Sequence, residues 1–107
     1  TGNGNADGAF VYTGFKPAWI MVKRTNSTDV WHIIDNKRDP FNSSSDSKYL
    51  DPASNAAQYD NSSHDFYSNG FKIRASGTNS NASGAPYIYM AFGQSLVGSN
   101  NVPCTAR

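Results

Sequence analysis

Gly14–Asp35 reads GFKPAWIMVKRTNSTDVWHIID and holds both tryptophans of the chain. Two apolar runs, Trp19–Val22 and Val30–Ile34, flank Thr25–Asp29, a segment with no apolar side chain. The runs are short and rich in Trp, Ile and Val, residues that fit a pleated surface better than a helix. Two such runs around a polar, turn-forming segment predict a β-hairpin. Four successive apolar residues in the first run predict a strand covered on both faces. The hairpin is expected at the centre of a β-sandwich.

The flanking sequence extends this reading. Thr1–Gly8 (TGNGNADG) is Gly- and Asn-rich and reads as loop. Ala9–Thr13 is a first strand, with Phe10 and Tyr12 on one face and Val11 on the other. Pro17 has no amide proton for a ladder and belongs at a strand's start. Asn36–Ser63 is the least regular stretch, with a short strand at Ser47–Leu50, a turn around Ala56–Gln58, and Phe41, Tyr49, Leu50 and Tyr59 as its anchors to the core. Asn69–Gly70 is a two-residue turn signal ahead of Phe71–Arg74, whose alternation puts Phe71 and Ile73 inward. Ala75–Ala85 is a flexible polar loop. Tyr87–Phe92 carries large side chains on both faces and reads as a central strand. Leu96, Val97 and Val102 are the apolar contacts of the tail.

At 107 residues the chain is expected to be one domain, residues 1–107, of all-β class: an antiparallel β-sandwich. Ser and Asn make up about a quarter of the residues, yet 13% are aromatic, which argues against disorder. A net charge of +1 offers no basic stripe for a phosphate backbone, so nucleic acid is not expected. No apolar run approaches a membrane span and no signal-peptide pattern is present. The chain starts at Thr1, which reads as part of something longer. Cys104 is the lone cysteine, an unpaired thiol near a chain end.

Three blocks carry a family resemblance: TGNGNADGAFVYTGFKPAWIMVKRTNSTDVWHIID, SNGFKIRASGTNSNASG, and YIYMAFG ahead of a terminal TAR. They resemble a C-terminal domain of tail fibre and tail spike proteins from tailed phages, notably marine and cyanobacterial ones. That family is treated as a concanavalin A-like lectin/glucanase or jelly-roll sandwich, and many phage fibres are trimeric. The resemblance implies a virion domain exposed on the tail or particle surface, with identical chains (a trimer first) or other virion proteins as partners. It also implies contact with a host glycan. The chain is shorter than full lectin-type sandwiches, so it is either reduced or completed by strands from elsewhere.

Sugar binding needs aromatic faces and planar polar groups. Trp31, His32, Tyr49, Tyr59 and Tyr67 are the candidates for the first, and Asp35, Asn36, Arg38 and Asn69 for the second. The simpler reading makes Trp19 and Trp31 core residues of the hairpin. Asp35, Asp39, Asp46, Asp51, Asp60 and Asp65 form no tight calcium-loop pattern, and no metal or cofactor is expected. The sequence has no Glu, and its Asp residues lie in turns or at strand ends, so no glycosidase carboxylate pair is expected either. His32 and His64 lack a nucleophile motif. Four Asn-x-Ser/Thr matches, at Asn26, Asn42, Asn61 and Asn81, are expected by chance in so Asn- and Ser-rich a chain. The expectation is a non-enzymatic virion domain that shows polar loops to a host surface. The alternative is an assembly or decoration module with no ligand of its own.

Overall fold

The computed structural model describes residues 1–42, 47–62 and 64–93. Leu96, Val97, Val102, Cys104 and Asp46 lie outside the described residues. The fold is all-β and antiparallel, with one helical turn. In chain order the strands are β1 Phe10–Tyr12, β2 Pro17–Arg24, β3 His32–Asp35, β4 Ser47–Tyr49, β5 Tyr59–Ser62, β6 His64–Tyr67 and β7 Gly70–Ile73. The turn α1, Thr78–Asn81, precedes β8, Tyr87–Gly93.

Two three-stranded sheets form the layers, ordered β1-β7-β6 and β3-β2-β8. Alternation along each strand decides what lies between them. β2 pairs with β3 through Ile20↔Ile34 and Val22↔His32, so these side chains share the inner face. From the other layer, Phe66 and Phe71 are paired across β6 and β7, and His64 pairs with Ile73. Ile20, Val22, Ile34, Tyr49, Phe66, Phe71 and Ile73 are buried together as one core cluster. Phe71 also meets Tyr89 of β8 edge-on, centroids 5.5 Å apart.

The β4-β5 pair closes one side of the sandwich. Ile33 and Leu50 exchange backbone hydrogen bonds of 2.9 and 3.0 Å, which joins β4 to the free edge of β3. The His64 amide donates to Ser47 Oγ at 3.4 Å, tying β4 to β6. The opposite side, between β1 and β8, has no such closing pair among the described residues. A cleft of about 370 Å³ lies there and reaches the core residues Val22, Phe71 and Ile73.

The hairpin, the start of β2 at Pro17, the strand at Ser47 and the inward placement of Phe71 and Ile73 agree with the sequence reading. Several expectations are corrected. β8 is an edge strand, not a central one. β2 is fully covered on its inner face only; on the outer face Trp19 and Met21 are half-buried. Neither tryptophan belongs to the core cluster. Val30 and Trp31 precede β3 instead of opening it, and Phe41 is exposed instead of anchoring its loop. Tyr59–Ser62 forms a strand although it holds only one apolar residue. The β6–β7 turn is Ser68-Asn69, one residue earlier than expected, since Tyr67 pairs with Gly70.

The 75–85 stretch is built rather than loose. Asn81 is fully buried in α1. Its Oδ1 accepts from the Asn3 amide at 2.9 Å. Its Nδ2 donates to Asn3 Oδ1, Asn5 O and Ala75 O at 2.8, 2.8 and 2.9 Å. One side chain thus pins the N-terminal loop to the β7–β8 connection, and its burial removes Asn81 as a glycan acceptor in the folded chain.

Candidate functional site

The residues proposed for sugar contact fall into four places. His32, Tyr49 and Tyr59 stack as a column, with centroid separations of 4.2 Å for His32–Tyr49 and 4.8 Å for Tyr49–Tyr59. His64 meets His32 edge-on at 6.1 Å. Two stacked neighbours occupy both faces of the Tyr49 ring, leaving neither for a pyranose. Burial drives His32 down to about 4, partly offset by the Asp51 and Asp29 carboxylates. Burial, followed by the charge on His32, drives His64 down to about 3. Both rings are therefore neutral at pH 7.

Asp35, Asn36 and Arg38 lie together in the turn after β3. Asp35 Oδ1 accepts from the amides of Lys37 at 3.0 Å and Arg38 at 2.7 Å, and its Oδ2 pairs with the Arg38 guanidinium at 3.4 Å. Asn36 is buried, its amide donating to Ala18 O at 2.9 Å. These three groups build the turn. Tyr67 is on the outer face of the β1-β7-β6 layer, edge-on to Phe10 at 5.9 Å. Trp31 lies on the outer side of the other layer, beside Met21, Ile88 and Met90. Among the described residues no three His, Cys, Asp or Glu side chains converge as metal ligands would.

The surface that does assemble is the outer face of the β3-β2-β8 sheet. Pairing puts Trp19 opposite Phe92, Met21 opposite Met90 and Met21 opposite Ile33 on this side. Trp19 and Phe92 meet edge-on at 5.3 Å. Ile88 and Trp31 continue the patch. On the solvent side of a two-layer sandwich, alternation ordinarily places polar side chains. Here Ile88, Met90 and Phe92 are 54%, 49% and 57% exposed, and Tyr89 on the inner side is 48% exposed. Contiguous apolar faces of this kind are uncommon on the solvent side of monomeric proteins.

Sequence reasoning did not place Met21, Ile88, Met90 and Phe92 on a common outer face. The signal was present: large apolar side chains at every position of Tyr87–Met90 are what a strand needs when both faces become covered. A central strand and an edge strand awaiting a partner write the same pattern.

The fold and this surface define a small antiparallel β-sandwich with an apolar outer sheet face half exposed among the described residues. Over residues 1–95 the chain matches a family described as a domain of unknown function, DUF7483, and it belongs to that family. No curated protein and no solved structure matches it.

Proposed function

We propose that this chain is a non-catalytic assembly domain of a tail-fibre or tail-spike type virion protein, held to neighbouring subunits through the outer face of its β3-β2-β8 sheet. The observation that carries this reading is the apolar surface formed by Trp19, Met21, Met90 and Phe92, paired side by side across β2 and β8. Burying such a face contributes roughly 25 cal/mol per Å² before the costs of association. The resemblance of the three sequence blocks supports the virion setting on the tail or particle surface, and identical chains as the first partners.

The test is the mass of the purified chain in solution by light scattering, alongside a Met21→Lys/Met90→Lys variant. An assembly larger than one chain is expected for the unaltered protein. The variant should run as a folded monomer with an unchanged β signature in circular dichroism. A monomer at every concentration, indifferent to both substitutions, would refute the proposal.

A second reading, recognition of a host glycan by polar loops, is favoured by one observation. A cavity of about 210 Å³ is lined by Gly77, Thr78, Asn79 and Ser80 of the α1 segment, with His32 and Tyr49 also on its wall. Hydroxyl and amide groups above aromatic rings suit a small hydroxylated ligand. Glycan-array binding that is lost on Asn79→Ala would establish it, and an array without signal would remove it.

A further inference from the structure

We infer that the free edge of β8 pairs, antiparallel and across a twofold axis, with β8 of a second copy of this chain. This rests on the reading above that identical chains assemble, and it adds a contact at the sheet edge beside the apolar face.

The free edges of the two three-stranded sheets other than β8 are managed. β3 is covered by Leu50. At the β6 edge the Asn42 side chain substitutes for a strand, with Nδ2 donating to Phe66 O at 3.0 Å and Oδ1 accepting from the Phe66 amide at 2.9 Å. β1 is only three residues long and ends at a bend, Gly14 having a φ of 79°. β8 is seven residues long, TyrIleTyrMetAlaPheGly in sequence, and carries no charge and no proline. Among the described residues nothing pairs with its second edge. A long, uncharged, apolar edge lacks the devices that keep edge strands apart, so it is built to take a strand.

The sequence of β8 favours its own copy as that strand. An antiparallel pair centred on Met90 sets Met90 against Met90, Ile88 against Phe92, Tyr89 against Ala91 and Tyr87 against Gly93. The outer-face pairs are all apolar. The inner-face pairs each match a tyrosine with a small residue, so the rings have room over the core cleft. No like charges meet, and both three-stranded sheets merge into one of six strands. The pairing adds a ladder of backbone hydrogen bonds along β8 and covers its side chains from the edge, while the outer face of β2 stays open.

Cysteine cross-linking tests this in the full 107-residue chain with Cys104→Ser as background. Directly opposed residues of an antiparallel pair have Cα atoms about 4.5–5.5 Å apart, within disulfide reach. Met90→Cys is therefore expected to give a covalent dimer on mild oxidation, and so is the double variant Ile88→Cys/Phe92→Cys. Tyr89→Cys alone should not, because its copies are displaced by two residues each. As a second readout, Met90→Lys should weaken self-association by at least roughly tenfold, since two ammonium groups would oppose each other. An assembly that forms without a Met90→Cys cross-link overturns the strand pairing and leaves the assembly reading standing. A monomer in both experiments overturns both.

Discussion

His32 lies nearly flat on Tyr49, ring centroids 4.2 Å apart and planes 20° apart, and His64 closes on the same imidazole edge-on. Two histidines are thus held in the core as neutral rings. Their folded values, about 4 and about 3, lie below the ordinary value of 6.5, and burial is the main cause of each. Below pH 6.5 the unfolded chain takes up protons that the folded chain refuses. Stability is accordingly full above that pH and falls as pH drops toward the folded values, by up to about 1.4 kcal/mol per pH unit for each ring. Urea unfolding at pH 7 and pH 5 should differ by on the order of 3 kcal/mol. His64→Phe should flatten the dependence. Equal stability at the two pH values would show that the rings titrate as if exposed.

Asn81 makes four hydrogen bonds from a fully buried position, three of them to the N-terminal loop. Asn81→Ala would leave the Asn3 amide and the Ala75 and Asn5 carbonyls without that partner. These partners are only part-buried and water reaches some of them, so a loss of about 1–3 kcal/mol is expected, with a fall in Tm of roughly 5–20 °C. Calorimetry checks it. A fall of only a degree or two would mean that water replaces the amide.

How far the sequence reaches depends on what each pattern encodes. β2, β3 and β8 were legible as strands from short continuous runs of β-favouring apolar residues, and β7 from its period-two alternation. β5 was not, since Tyr59-Asp60-Asn61-Ser62 owes its conformation to pairing with β4 rather than to its own side chains. Asn81 was hidden for a related reason. A buried amide network is specified by partners more than seventy positions away, and in the sequence it looks like one more polar loop residue. The scatter of the sugar-site candidates follows from Tyr49 and His32 fitting both readings, core anchor and sugar platform, and their mutual stacking at 4.2 Å belongs to the first. The open face was readable in composition but not in position, because sequence does not say which layer is missing.

Gly70 shows how close packing can override turn chemistry. It is conspicuous after Asn69, yet the turn ends before it and its φ is not in the left-handed region. A Cβ there would press on the Val11 carbonyl and the Phe10 ring of β1. Gly70→Ala should push β1 away, at a cost of about 1–3 kcal/mol. The amides of Thr13 and Gly14, which donate to Asn69 O at 3.0 and 3.3 Å, should then exchange faster than those of β2. Hydrogen exchange followed by NMR resolves the two strands. Unchanged protection at Thr13 would mean that β1 does not depend on that approach.

Trp19 offers a direct report on the open face. Its indole borders Phe92 at 5.3 Å, on the side of the sheet where water now meets Met21 and Met90. In a Trp31→Phe background it is the sole tryptophan. If the face is covered on assembly, water leaves the indole, so emission should shift to the blue and acrylamide quenching should fall as concentration rises. Met90→Lys should abolish both changes while leaving the dilute spectrum as it was, because Met90 is already half exposed in the single chain and Phe92, not Met90, is the ring against Trp19. A concentration-independent spectrum in the unaltered protein would place the contact surface elsewhere, and a blue shift that persists in Met90→Lys would show that Trp19 is covered by a partner that does not rest on Met90.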